Sequence, residues 1–348
     1  MIGEDIGERH GYVAGRIAHW LVPLIGADGP LRIDKVSTPE LNGSSNQTLV
    51  LDARWTSGGR PASGGFVVRM APAGLRLYHH YDLDAQYRTM AAVAATPIPL
   101  PPLVGYEPDP GVVGEPFYVM GKVEGQAPPD LPPFTVAGWV HDAPAGVQAQ
   151  LYQSGLDVLA RVHRLDVGRL DLPDLPWGFD DLLDRTEAWY RWAAGPGGHP
   201  VLDQVLAWLR EHQPADPSPD VLNWGDARLG NMIFAGTAPV AILDWEMAAV
   251  VPGEVDLGWW LFLNRHHTDG MGVPRLPGFP TDVETVERYG AARGMAARHV
   301  QYYEAFAGFR FAIIFLRAMD AMGDAQAVID NSCNRMLVAD LALDAPWR

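Results

Sequence analysis

Hydrophobic residues recur at intervals of three and four from Ile6 to about Ile25, which predicts a helix that ends before Gly26 and Gly29. The pattern then shortens. LRIDKVST, QTLVLDARW and GFVVRM have strand character and are separated by the turn-rich segments GSS and TSGGRPASGG, so a small antiparallel sheet is expected. DLDAQYRTMAAVAA predicts a helix with Asp82 or Asp84 near its start. It stops before TPIPLPP, where Pro97, Pro99, Pro101 and Pro102 favour extended backbone. EPFYVMGKVEG reads as a further strand passing into a turn.

From about Ala127 the texture changes to proline-broken loops and long helices. LYQSGLDVLARVHRL, FDDLLDRTEAWYRWAA and VLDQVLAWLREH each carry an apolar stripe at helical spacing. NMIF and PVAILDW stand as two short strands on either side of the turn AGTA, and the tail from Asp282 to Leu343 is again mostly helical. The expected fold is α+β and bilobal. Residues 1–120 form a small lobe with a leading helix, 121–126 a hinge and 127–348 a helical lobe. The groove between such lobes is the default ligand site.

Composition narrows the function. The chain has 348 residues, 48% of them hydrophobic, so two cooperating lobes can each bury a core. Its 42 acidic residues against 26 basic ones give a formal charge of −16 with no basic stripe, which argues against nucleic acid as a partner. Cys333 is the single cysteine, so no intrachain disulfide and no cysteine-rich metal site can form. MIGEDIGERHGY lacks the basic flank and apolar core of a signal peptide. IAHWLVPLIGA and FRFAIIFL are too short to cross a bilayer, so no membrane role and a cytoplasmic location are expected.

Candidate chemistry concentrates in VLNWGDARLGNMIFAGTAPVAILDWEMAAVVPGEVDLGWW, residues 221–260. Phosphoryl transfer from a nucleotide needs an oriented hydroxyl, a base or positioning carboxylate, and oxygen ligands for magnesium. Asp226 can accept or orient the hydroxyl, while the side-chain oxygen of Asn231 and the carboxylate of Asp244 can hold the metal against the phosphates. A lone carboxylate at a strand end is common in ordinary turns. It is the ordered set of Asp, Asn, hairpin and Asp that points to this chemistry.

WGDARLGNMIF followed by ILDWE resembles the aminoglycoside phosphotransferase family, whose fold is that of the protein kinases. LNGSSNQTLVL, FYVMGKVEG, LARVHRLD and PGEVDLGWW extend the resemblance from about residue 15 to 320. The resemblance implies that Asp226 is the catalytic aspartate, that Asn231 and Asp244 are the metal ligands, and that Asp256 braces the catalytic loop from behind. Trp224 stands where the family has a histidine that ties this loop to the metal-binding turn. Indole has one donor and no acceptor, so the tie must be rebuilt. Arg228 is counted with the loop's supporting residues, and His163 is expected to be a structural, hydrogen-bonding histidine facing the core.

On the nucleotide side, the resemblance implies that Arg69 in GFVVRM contacts the α- and β-phosphates. The family's glutamate partner is replaced by Gln86, so either the amide orients Arg69 with less force or a residue such as Asp84 takes over the pairing. Gly43, Ser44, Ser45 and Asn46 form a tight polar turn able to present N–H groups to phosphates. By resemblance, Met120, Lys122 and Val123 lie in the hinge that meets the nucleobase, which leaves ATP and GTP equivalent.

For the acceptor site the resemblance points to Glu246, Trp259, Asn264, Arg265, His266, His267 and Tyr303, although Trp259 and Trp260 could equally pack a helix core. Adjacent histidines do not face one ion from a single helix, so zinc is not expected at His266 and His267. The expected reaction is magnesium-dependent transfer of the γ-phosphate of ATP or GTP to a hydroxyl of a small molecule by a monomer or homodimer. Relatives of this kind phosphorylate choline, homoserine, sugars and hydroxyacyl thioesters, and cationic aminoglycosides fit the mixed acceptor region poorly. The rival reading is a catalytically weak nucleotide- or metabolite-binding regulatory protein on the same fold, motivated by Trp224 and Gln86.

Overall fold

The computed structural model describes residues 2–38, 47–72 and 74–347, with side chains described from His10 onward. The small lobe begins with α1 (Ile2–Leu24), followed by β1 (Arg32–Ser37), β2 (Gln47–Ser57), β3 (Arg60–Met70), α2 (Leu83–Ala94), β4 (Leu103–Glu107) and β5 (Phe117–Gly121). The strands form one sheet in the order β1-β2-β3-β5-β4, with all neighbouring pairs antiparallel.

Alternation decides which face each strand residue takes. Leu49, Leu51, Phe66, Val68, Phe117 and Val119 point to one face and are sealed by Val13, Ile17 and Leu21 of α1. Val67 and Arg69 therefore point the other way, toward the interlobe groove, as the strand pattern predicts. Asp82 caps α2 by accepting from the Ala85 N–H at 2.8 Å. Met90 and Val93 of that helix join Tyr118 and Met120 in a second core that continues into the large lobe.

The large lobe contains α3 (Ala145–Val162), α4 (Phe179–Ala194), α5 (Leu202–Glu211), β6 (Asp220–Asn223), β7 (Met232–Ala235), β8 (Ala238–Ile242) and β9 (Ala249–Pro252). Four longer helices and one short one follow in the order α6 (Glu254–His266), α7 (Asp282–Arg293), α8 (Val300–Met322), α9 (Ala325–Ile329) and α10 (Ser332–Leu341). β7 pairs with β8 as the sequence predicts. Two features were not anticipated. LVGYE forms edge strand β4, and the short runs β6 and β9 pair with each other across the segment that carries Asp226 and Asp244.

α6 is buried on every side from Glu254 to Leu263, because VDLGWWLFL has no polar face to give to water. Each fully buried large side chain there stabilises the fold by roughly 1.5–3 kcal/mol. Gly258 lets α8 approach closely, since a Cβ at this position would lie 2.5 Å from the Tyr303 backbone. Glu254 is itself fully buried, accepting from Ser218 at 2.8 Å and pairing with Arg293 at 3.3 Å.

Candidate active site

The β6–β9 ladder ends at the Asn223–Ala249 pair, and the two chains leaving it carry the site. One is Trp224-Gly225-Asp226, which must turn sharply. Gly225 has φ +97°, and a Cβ on it would meet the Met247 carbonyl oxygen. The turn is held from behind by the fully buried Asp256, whose two oxygens accept from the Trp224 N–H at 2.6 Å and the Gly225 N–H at 2.8 Å. His163 stands 3.1 Å from the same carboxylate through Nε2 and 2.6 Å from the Tyr289 hydroxyl through Nδ1. Asn223 completes the brace by accepting from the Asp256 N–H at 3.1 Å.

Asp226 is only 8% exposed, and every polar contact on its carboxylate is a donor. Asn231 Nδ2 donates to Oδ2 at 2.6 Å, and the Arg228 Nε and Trp259 Nε1 groups donate to Oδ1 at 3.1 and 2.7 Å. Arg228 also meets Asp130 at 2.5 Å. Burial opposes the Arg228 charge, but Asp226 and Asp130 outweigh it and hold its pKa above the ordinary arginine value.

The turn that carries Asp244 is tied to this loop through Leu243. Its N–H donates to the Asn231 carbonyl at 2.8 Å, and its own carbonyl accepts from Trp224 Nε1 at 2.7 Å. The indole thus rebuilds, with its single donor, a link between the catalytic loop and the turn. Trp224→Phe keeps an aromatic ring but removes the donor and part of the buried volume, leaving the Leu243 carbonyl unpaired beside a small cavity. The unpaired carbonyl alone is expected to cost about 1–3 kcal/mol of unfolding free energy, with a cavity term added to it, together with a higher magnesium requirement for any activity. Denaturant unfolding and a magnesium titration check both.

Asp244 adopts φ +64°, a left-handed conformation that a non-glycine residue rarely takes. Its Oδ1 accepts from Arg69 at 3.0 Å. Arg69 also donates to Thr48 at 3.1 Å, its direct cross-strand neighbour on β2. Burial works against the Arg69 charge, yet Asp244, with smaller contributions from Tyr118 and Glu246, keeps its pKa above the ordinary value. Of the two alternatives, the pairing is taken over from elsewhere, by Asp244 and not by Asp84. Asp84 lies 3.7 Å from Arg88, and Gln86 accepts from the Tyr118 hydroxyl at 3.3 Å, so the anionic partner of Arg69 is Asp244.

The donor set fits magnesium. With its amide nitrogen committed to Asp226, Asn231 offers its side-chain oxygen, and Asp244 adds a carboxylate; both are hard oxygen ligands. No group of three or more His, Cys, Asp or Glu side chains able to hold a metal occurs among the described residues. Magnesium asks for less, because it keeps waters and shares phosphate oxygens.

The remaining candidates divide. The turn carrying Ser44, Ser45 and Asn46 lies outside the described residues. In the hinge, Met120 is buried, and Lys122 donates its N–H to Gly65 and pairs with Asp52 through its ammonium; the Lys122 carbonyl and the Val123 backbone have no hydrogen-bond partner among the described residues. Glu246 lines a cavity of about 980 Å³ between the β3–α2 connection, α2, α4 and residues 245–248. Asn264 and His267 border a much smaller cleft beside Arg228, where burial and the Arg228 charge push the His267 pKa down to about 4.

Trp259 is 2% exposed and serves Asp226 rather than standing free to receive a substrate. Arg265 is drawn off to Glu304 and Asp340, His266 packs among Phe262, Phe311 and Phe315, and Tyr303 is sealed between α6 and α8. The structure does not bring these last three to the groove.

Sequence reasoning missed Tyr78, Trp189 and Arg310, which line the large cavity. The connection from β3 to α2 folds down onto the large lobe, where the Leu77 carbonyl accepts from Trp189 at 2.9 Å and Tyr78 stacks on Trp189 at 5.0 Å. An arginine inside the apolar run FRFAIIFL was the available signal for Arg310.

The chain that carries this site matches the phosphotransferase enzyme family. That family's profile matches residues 42–306, and the chain belongs to it. Among curated proteins the chain is 26% identical over 284 residues to acyl-CoA dehydrogenase family member 11 of Mus musculus, covering 79% of this chain and 34% of that protein. The Homo sapiens protein of that name is 28% identical over 212 residues, covering 60% and 25%. The chain therefore spans about a third of the length of these relatives or less.

Among solved structures, a Ralstonia eutropha protein superposes with a TM-score of 0.66 at 21% identity, covering 93% of this chain and 94% of that one. A choline/ethanolamine kinase family protein from Mesorhizobium loti superposes at 0.56 and 15% identity, covering 96% of each chain. An aminoglycoside phosphotransferase solved with ADP and hygromycin B superposes at 0.58 and 13% identity, covering 94% and 99%. These likenesses show the fold. No helix among the described residues is long and apolar enough to cross a membrane.

Proposed function

We propose that this protein transfers the γ-phosphoryl group of a magnesium-bound ATP or GTP to a hydroxyl of a small molecule. The observation that carries the reading is that two contacting pairs, Asn231 with Asp226 and Arg69 with Asp244, are joined through the Leu243 N–H bond to the Asn231 carbonyl. The family and the fold support it, as does the printed description of the neighbour solved with ADP.

When bound, the nucleotide and its ion supply the phosphoryl group and the charge that stabilises its transfer. Asn231 and Asp244 would hold the ion, and Arg69 would exchange part of its pairing with Asp244 for the phosphates. Asp226, fixed by three donors, takes the acceptor's proton as the acceptor oxygen bonds to phosphorus and the bond to the departing nucleoside diphosphate breaks. The proton then passes to solvent. The contrasting reading, a catalytically weak binding protein, loses one of its two motives, because Trp224 is engaged with Leu243.

The test is magnesium-dependent transfer of labelled γ-phosphate from ATP and GTP across a panel of hydroxylated metabolites. Saturable nucleotide binding without transfer to any of them favours the binding-protein reading. In the same preparation Arg69→Ala should weaken nucleotide binding by on the order of tenfold or more, as expected for loss of a charge-assisted contact. Unchanged affinity in calorimetry removes Arg69 from the phosphate site.

A further inference from the structure

Arg310 lies two helical turns after Tyr303 on α8 and is 3% exposed. The other arginines buried to a similar degree each face a carboxylate: Arg69 faces Asp244, and Arg293 faces Glu254. Arg310 does not. Its guanidinium lies over the rings of Trp259 at 5.1 Å and Phe306 at 5.7 Å, and it forms no ion pair or hydrogen bond with any described residue. Ring faces offset only part of the cost of removing such a group from water. Burial accordingly pulls the Arg310 pKa below the ordinary arginine value, against smaller contributions from Asp256, Tyr78 and Asp226.

The position of this charge is as informative as its missing partner. Arg310 lines the cavity of about 980 Å³ together with Tyr78, Trp189 and Glu246. It is separated from Asp226 by one indole, since the Trp259 ring that it covers donates to Asp226 at 2.7 Å. Asp226 does not itself line this cavity; residues 245–248, which follow Asp244, form its wall on that side, and a ligand with an anion at Arg310 would have to extend past them to bring a hydroxyl to Asp226.

We propose that Arg310 seats an oxyanion carried by the acceptor, a carboxylate or a phosphate, and that the acceptor is therefore an anionic hydroxy compound. The assignment rests on the phosphotransferase reading above and adds the substrate class. A guanidinium presents five N–H donors in a planar fork that matches either anion. An ammonium group set directly against Arg310 would meet a like charge, whereas Glu246, Asp82, Asp84, Glu115 and Asp174 also line the cavity, so the discrimination acts at the guanidinium and not over the cavity as a whole. The overall charge of −16 repels anions at long range, which makes a buried, unpaired cation the means by which such an acceptor is held.

The experiment compares wild type, Arg310→Met and Arg310→Lys with matched probes: hydroxy carboxylates, hydroxyalkyl phosphates, and the neutral amides of the same carboxylates. In the wild type, at least one anionic probe should exceed its neutral counterpart by tenfold or more in kcat/KM. Arg310→Met should bring that ratio near one with nucleotide affinity retained, and Arg310→Lys should keep part of it. The carboxylate and phosphate arms identify which anion is seated. A purely structural role would lower all probes together and leave the ratio unchanged, which overturns the proposal. So does a wild type that prefers the amides, or one that binds no anionic probe in calorimetry while binding nucleotide. Should Arg310→Met fail to fold, an undiminished ratio in Arg310→Lys counts against the proposal and a reduced one supports it. Failure of the phosphotransferase reading itself shows separately, as absence of magnesium-nucleotide binding by the wild type.

Discussion

Asp226→Asn is expected to lower kcat by about two to four orders of magnitude, the range that a positioned general base supplies, while the protein still folds and binds nucleotide, with stability reduced by about 1–3 kcal/mol. The geometry accounts for each part of this outcome. The carboxylate receives donors from Asn231 on one oxygen and from Trp259 and Arg228 on the other, so the amide keeps the volume and one acceptor oxygen but turns its NH2 toward a donor. What it loses besides is the charge proposed to take the hydroxyl proton. Single-turnover transfer alongside calorimetric nucleotide binding separates the two, and near wild-type transfer by this variant would remove Asp226 from the reaction.

The second large effect is expected at Asp256, which touches no ligand. Its side chain is fully buried, and its oxygens satisfy two backbone N–H groups of the catalytic turn and meet His163. Asp256→Ala leaves those buried groups unpaired at once, a loss of about 3–5 kcal/mol. The melting temperature should fall by on the order of 10 °C. Because the freed N–H groups belong to Trp224 and Gly225, the next residue, Asp226, should lose its fixed position, and kcat should fall even at temperatures where the variant remains folded. A variant with a wild-type melting curve would show that the brace is not needed.

These two residues mark different depths of legibility. Asp226 was readable because Asp, Asn, hairpin and Asp follow one another within a short segment, and local order along the chain survives into the fold. The same holds for the strands that alternate, the helices that carry one apolar stripe, and the placement of Arg69 opposite the α1 face. The β6–β9 ladder was not readable, because four-residue runs such as DVLN and AVVP have no period long enough to separate strand from loop. β4 was hidden by the prolines before it.

The acceptor side shows the limit most clearly. Trp259 and Trp260 are adjacent in sequence and both buried, yet one holds Asp226 and the other packs against Tyr152. Arg265 and His266 seemed suited to bind a substrate by residue type, but the turn of α6 gives the first to Glu304 and Asp340 and the second to an aromatic cluster.

By itself, the sequence determined the bilobal architecture, the family and the order of the candidate site residues, because these depend on periodicity and on spacing within single segments. The tertiary structure alone decided that Arg69 pairs with Asp244, that Trp224 reaches Leu243, and that Arg310 is buried beside the groove without an ion pair among the described residues. Arg69 and Asp244 are 175 positions apart. Contacts at such separations are set by how the lobes and helices pack, and no local pattern of hydrophobic and polar residues encodes them.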